Sequence, residues 1–295
     1  LSLREVNEEK TVKLVTYQLN NQIKVGAWRE DEIVDLSAVA PDMFTLISMG
    51  ASGLAQAQTQ LEAAAVAAPL NTVKLLSPIP NPRRNIICLG LNYAAHAAET
   101  NSERPDLPII FNKATTCMNG PYDDIPYDAN VSTKIDWEVE LTVVLGRSGK
   151  NISTDEAMSY VFGYTVMNDI SARDLQRGHK QYFKGKSLDG SAPMGPCIVT
   201  ADSLPNPHRL RLACRVNGIS KQDGNTSDMI FDIPTTIYHL SRGMTLLAGD
   251  LIATGTPPGV GTARTPPEYL KPGDVVECEI EGIGVIRNRI AMNGG

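Results

Sequence analysis

The sequence predicts an α+β fold that is predominantly β, with a small N-terminal β-rich module carrying helices and a larger second domain. Three observations carry this. Short apolar runs bounded by Gly, Pro, Asn and Asp recur along most of the chain. Strand and helix patterns do not alternate regularly, which argues against a doubly wound parallel sheet. The segment PLNTVKLLSPIPNPRRN carries Pro69, Pro78, Pro80 and Pro82, a density that breaks helix and sheet alike. That places a boundary near residue 77 and divides the chain into 1–77 and 78–295.

Residues 12–36 alternate in short runs separated by Asn20-Asn21 and by Arg29-Glu30-Asp31, the pattern of a three-stranded meander. Helical stretches follow at 42–49 and 53–67, the second Ala-rich with Ser52 placed as its cap. Beyond the boundary, strands are expected at 86–89, 108–112, 138–145, 161–168, 196–200, 210–216, 251–254 and 275–290. Asn217-Gly218 is a hairpin signal, because both residues tolerate a positive φ. A helix is expected over 234–242, with Pro234 at its start and Gly243 just past its end.

Composition narrows the function. With 42% apolar and 20% charged residues, the chain reads as an ordinary globular protein. A net charge of −6 argues against a nucleic-acid or anionic-membrane surface, since both need excess Lys and Arg. No run reaches the roughly 20 apolar residues of a membrane helix. Cys88, Cys117, Cys197, Cys214 and Cys278 are scattered and odd in number, which suits buried thiols in a reducing compartment. The cytoplasm is the expected location. The sequons at Asn130, Asn151 and Asn225 carry no weight without secretion.

Three stretches carry candidate chemistry. In KIDWEVELTVVLG, Glu138 and Glu140 point to one face of a strand that otherwise wants burial. The strand 161–168 ends at a further carboxylate, Asp169. Three such oxygens suit Mg²⁺, Mn²⁺ or Ca²⁺, although an E-x-E pair also reads as two exposed glutamates on a solvent-facing strand. In GLNYAAHAAE, His96 and Glu99 stand at i and i+3 of a helical turn, either as a base with its orienting carboxylate or as a surface pair. TGTPPGVG, residues 254–261, would bring backbone amides and Thr256 to an anion, or make a tight inter-strand turn. Gly185-Lys186-Ser187 is no phosphate loop, because Lys180 stands where the preceding Gly is needed. His179, His208 and His239 show no ligand spacing.

Taken in order, GLNYAAHAAE, DWEVEL, GYTVMNDISARDLQ, KGKSLDGSAPMGP, VNG, TGTPPGVG and LKPGDVVECEIEGIGVIRN resemble the fumarylacetoacetate hydrolase family over about residues 77 to 291. The N-terminal module is similar to the lead domain of bacterial members. The resemblance implies a β-roll or distorted β-sandwich, a homodimer, and a divalent ion (Mg²⁺ or Mn²⁺, with Ca²⁺ as a further occupant) on Glu138, Glu140 and Asp169. That ion would compensate the two glutamates, whose unpaired burial would be costly. The resemblance further implies a His96–Glu99 dyad and an active-site Lys186. Arg173, Gln176, Lys113, Gly255 and Thr256 would hold substrate oxygens, and Tyr93 would line the pocket. No carboxylate occurs in the ten residues before His96, so the fourth acidic ligand of the animal enzymes is missing, and Tyr182 stands where many relatives have Trp.

The implied activity is hydrolysis of a carbon–carbon bond in a 1,3-dicarbonyl acid of the acylpyruvate type. His96 would deprotonate water, Lys186 would stabilise the oxyanion, and residues 97–107 would form a lid. The alternatives on the same machinery are decarboxylation of an oxaloacetate-type β-keto acid, isomerisation of a hydroxymuconate-type diacid, and hydrolysis or dehydration of a deoxy sugar acid.

Overall fold

A computed structural model describes residues 12–63, 67–100 and 102–292. The expected meander is present as β1 (Lys13–Leu19), β2 (Gln22–Arg29) and β3 (Glu32–Asp35). Its first turn works because Asn20 and Asn21 adopt φ of 50° and 63°, a conformation asparagine tolerates, which pairs Leu19 with Gln22. Two short strands, Ala67–Pro69 and Lys74–Leu76, form inside the proline-dense segment and pair with β3 and β1. They escape the expected breaking effect because Pro69 closes an edge strand and Lys74–Leu76 contains no proline.

Asp42 caps helix α1 (Met43–Ser48) by accepting from the Thr45 amide at 2.7 Å. Helix α2 spans Gly50–Glu62, so Ser52 lies inside it, not at its cap. Its hydroxyl instead accepts from the Gln56 side chain one turn on, at 3.2 Å. The expected extension through 64–66 falls outside the described residues.

The second part supplies β4 (Ile86–Gly90), α3 (Ala94–Glu99), β5 (Ile109–Lys113), β6 (Val139–Leu145), β7 (Val161–Asn168), α4 (Arg173–Gly178), α5 (Phe183–Lys186) and β8 (Ala192–Thr200). Strand β8 starts at Ala192, before residue 196, because its ladder with β7 is irregular and tolerates Pro193 and Pro196. There follow β9 (Arg211–Val216), β10 (Ile219–Asn225), α6 (Ile233–Ser241), β11 (Leu251–Ala253), β12 (Val275–Ile280) and β13 (Gly284–Met292). Asn217-Gly218 turns β9 into β10 with φ of 53° and 78°. The apolar run 275–290 is a hairpin, not a single strand, turning where Gly282 takes φ 77°.

The large mixed sheet runs in the order Ala67–Pro69, β3, β2, β1, β8, β7, β6, β11, β4, β5, with the meander joined to it through β1 and β8. A second sheet, β10, β9, β12, β13 and Ile125–Tyr127, packs on one face. Leu141, Val143 and Leu145 of β6 enter the core with Leu212, Cys214, Cys278 and Ile286 of that sheet. The opposite face, through Val144, Phe162 and Ile198, meets Leu46 and Ile47 of α1. Strand β6 is therefore buried along its whole length. All five cysteines are buried and free. Among the described residues no helix is long and apolar enough to cross a membrane.

Candidate active site and metal centre

Strands β6 and β7 pair antiparallel, Val139 with Asn168 and Glu140 with Met167. The Asp169 amide donates to the Glu138 carbonyl at 2.8 Å, which sets Asp169 opposite Glu138 at the same sheet end. Paired residues share a face, as do i and i+2 on one strand, so all three carboxylates converge. One oxygen from each lies within 4.8 Å of the others, and all three residues are buried.

Such a cluster needs counter-charge, and the protein supplies part of it. Lys186 Nζ donates to Glu138 at 2.6 Å and to Asp169 at 2.7 Å. Lys113 Nζ, fully buried, donates to Asp169 at 2.8 Å from behind. Arg173 donates through Nε to Asp136 at 2.7 Å, and its Nη2 lies 2.7 Å from Glu138 as a charge contact without hydrogen-bond alignment. Burial alone would raise the Glu138 carboxyl, but Lys186, Arg173 and His96 hold it down at about 2. Burial also opposes the charge on Lys186, yet Asp169 and Glu138 keep its ammonium protonated.

Glu140 is different. Among the described residues its carboxylate accepts from the Gly255 amide alone, at 2.9 Å, and no Lys or Arg pairs with it. Burial, Asp169 and Glu138 push its carboxyl well above the usual range. Compensation by a metal was expected for both glutamates, but Glu138 already has two protein cations and only Glu140 lacks one. Three hard oxygen donors with one uncompensated charge fit a Mg²⁺- or Mn²⁺-type ion.

The dyad forms beside this cluster. His96 Nδ1 lies 2.7 Å from Glu99 Oε1, while Glu99 Oε2 accepts from the Gly259 amide at 2.8 Å. A carboxylate can only accept, so in the neutral imidazole Nδ1 carries the proton and Nε2 the lone pair. The loop 254–261 is held tightly enough to make this contact: a Cβ on Gly259, at φ 106°, would run into the Lys221 carbonyl, and one on Gly255 would meet Asn92. Asn92, fully buried, itself bonds Thr254 and Phe231 and so fixes the entrance to α3.

A cavity of about 330 Å³ opens over the cluster, lined by His96, Glu138, Glu140, Arg173, Gln176, Lys186 and Thr256. The remaining expected residues do not line it, and Thr256 lines it with its hydroxyl already engaged. Lys113 lies behind Asp169 and reaches no substrate space. Gly255 gives its amide to Glu140. The Thr256 hydroxyl donates to the Val139 carbonyl at 2.9 Å and accepts from Gln222 at 2.8 Å, so that proton is committed to the fold. Tyr93 is buried off the cavity, with its hydroxyl unpartnered among the described residues. Tyr182, in the Trp position, does line the cavity and packs edge-on against Phe111 at 5.4 Å.

Two residues escaped the sequence reading. Asp136 accepts from Arg173, from the Trp137 amide at 2.9 Å, and from the Gly261 and Thr262 amides at 2.7 and 2.9 Å. It lies two residues before Glu138, so the alternation that singled out the glutamates also included it. Gln222 joins Val139 to Thr256 and Pro257 from the second sheet, and nothing in its neighbourhood of the sequence signals that.

Residues 85–291 match the family model described as fumarylacetoacetate (FAA) hydrolase C-terminal. Oxaloacetate tautomerase YisK of Bacillus subtilis is 44% identical over 95% of this chain and all of its own length. The fumarylacetoacetate hydrolase structure from Exiguobacterium antarcticum is similar with a TM-score of 0.86 at 37% identity, covering 96% of this chain and 100% of that one. Maleylpyruvate hydrolase from Sphingobium sp. SYK-6, solved with manganese(II) and pyruvate, gives a TM-score of 0.79 at 28% identity, over 95% of this chain and 99% of that one.

Proposed function

Because the chain belongs to the fumarylacetoacetate hydrolase family and is similar to a tautomerase and two hydrolases, we propose that it interconverts the keto and enol forms of an oxaloacetate-type 2-oxo acid. The observation that carries this is His96, held by Glu99 through Nδ1 beside the carboxylate cluster in one cavity, with no partner on its Nε2 among the described residues. The 44% identity to an oxaloacetate tautomerase supports that choice over bond cleavage.

A Mg²⁺ or Mn²⁺ ion held by Glu138, Glu140 and Asp169 would supply Lewis-acid polarisation of the 2-oxo group. His96 Nε2 takes a proton from the carbon between the two carbonyl groups, and Glu99 stabilises the imidazolium that results. Two Lys186 N–H bonds go to Glu138 and Asp169, and the third is left to stabilise charge developing on the 2-oxygen. Return of the proton from His96 to that oxygen gives the enol, with no atom gained or lost. Gln176 accepts from Arg173 through its carbonyl at 3.1 Å, which leaves its amide N–H groups for the substrate carboxylate.

A second reading is hydrolysis of an acylpyruvate-type bond. The same nitrogen can deprotonate water, and the likeness to a maleylpyruvate hydrolase favours it. A homodimer in a reducing compartment completes the proposal, testable by light scattering. The deciding assay follows enol–keto conversion of oxaloacetate and pyruvate release from acetylpyruvate and oxaloacetate, each with Mg²⁺, Mn²⁺ or EDTA. Metal-dependent conversion without pyruvate release supports the tautomerase. Metal-dependent pyruvate release from acetylpyruvate supports the hydrolase, and release from oxaloacetate alone a decarboxylase.

A further inference from the structure

The cavity is electrically polarised. Its buried floor holds Glu138 and Glu140, the only acidic side chains lining it among the described residues, while Arg177 and Lys180 stand exposed at its rim. The lining cations Arg173 and Lys186 are already paired with carboxylates. Among the described residues, Arg177 and Lys180 have no carboxylate partner. On a chain of net charge −6, two unpaired cations at the mouth of one cavity reverse the local sign.

Neither side chain is placed at random. Arg177 Nη2 donates to Thr262 Oγ1 at 2.7 Å, and the Thr262 amide is itself held by Asp136. Through Thr262 the guanidinium is thus tied to the same buried carboxylate that holds Arg173, and its other N–H groups have no partner among the described residues. Lys180 adopts φ 60° just after α4, a left-handed conformation that costs a lysine stability and that glycine would take freely. That left-handed residue ends α4 and leaves the lysine side chain at the cavity rim.

We propose that Arg177 and Lys180 form a second anion subsite, which selects substrates carrying a carboxylate distal to the 2-oxo acid end. The substrate class is then a short dicarboxylic 2-oxo acid, not a monocarboxylic acylpyruvate. This rests on the reading of the cavity as a 2-oxo acid site. It assigns the second charge of the substrate to residues outside the carboxylate cluster and the His96–Glu99 dyad.

The test compares oxaloacetate with its 4-methyl ester, which differ in the distal charge. In the metal-loaded full-length chain, Arg177→Gln/Lys180→Gln should lower kcat/KM for oxaloacetate about 10- to 100-fold, mainly through KM, the range expected for lost charge-assisted hydrogen bonds. The loss on the ester should be at least about tenfold smaller. Arg177→Lys and Lys180→Arg should retain the preference, and added salt should erode it. Equal losses on both compounds, or none on oxaloacetate, would overturn the subsite. If the wild-type chain turns over neither compound, the tautomerase reading fails but the subsite is still decided by calorimetric binding. Tighter binding of oxaloacetate than of its ester, abolished in the double variant, supports it, and equal binding overturns it.

Discussion

Asp136 is a buried carboxylate that ties Arg173 to the loop at Gly261 and Thr262, and Asp136→Asn removes its charge while keeping its shape. The carboxylate accepts four hydrogen bonds, one from the Arg173 guanidinium and three from backbone amides at Trp137, Gly261 and Thr262. An asparagine offers one acceptor oxygen and turns an NH₂ toward groups that are all donors. Breaking one side of a buried ion pair costs about 3–5 kcal/mol. Arg173 keeps its contact with Glu138, so the lower end, about 3 kcal/mol, is expected. At about 2–4 °C per kcal/mol for a chain of this size, the melting temperature should fall by roughly 6–12 °C. Because Asp136 also anchors the loop bearing Val260 and Thr262, which line the cavity, kcat/KM should fall together with stability. Thermal melts and steady-state kinetics on the same preparation read both. Asp223→Asn is the control, since the Arg211–Asp223 pair is exposed and solvent screening leaves it little effect on stability. Melting of Asp136→Asn within about 1 °C of wild type would refute the assignment.

Other outcomes follow from the same geometry. His96→Gln should lower kcat by about 10²–10⁴-fold with little change in melting, and Glu99→Gln should give a smaller loss, since it frees the imidazole tautomer but leaves the base. In EDTA at neutral pH, Glu140→Gln should melt higher than wild type. The native carboxyl is raised above its ordinary value of 4.5, so ionisation costs stability as pH rises, and glutamine removes that cost. His208 accepts from the Ile233 amide through Nε2 at 3.2 Å, and burial lowers its pKa below 6.5. The unfolded chain therefore binds more protons, so stability should fall as pH drops through 6.5 and below. Melts of wild type and His208→Gln between pH 5 and 8 would show a steeper slope for wild type.

The carboxylate cluster was legible because a strand's period of two is rigid: Glu138 and Glu140 share a face wherever the strand lies. Asp169 needed only the strand end before it, and His96 with Glu99 only a helical turn. What could not be read is what those groups meet across the chain. Gly259 binds Glu99 from 160 positions away, and Lys113 reaches Asp169 from 56. Whether a lysine faces substrate or a carboxylate is decided by sheet order, and no local pattern carries that. The committed Thr256 hydroxyl is hidden for the same reason, since Gln222 arrives from the second sheet. Strand ends failed where local rules were overridden: Pro193 and Pro196 inside β8, and the hairpin hidden in the apolar run 275–290.

Metal-assisted proton transfer on a 2-oxo acid would show itself in the rate of enol-to-keto conversion of freshly dissolved enol oxaloacetate. Wild type with Mn²⁺ should accelerate conversion well above buffer containing Mn²⁺ alone. EDTA should abolish the acceleration, and Glu140→Gln, folded and stable, should lack it. Acceleration that persists in EDTA and in Glu140→Gln, or no acceleration by the metal-loaded wild type, would contradict the account.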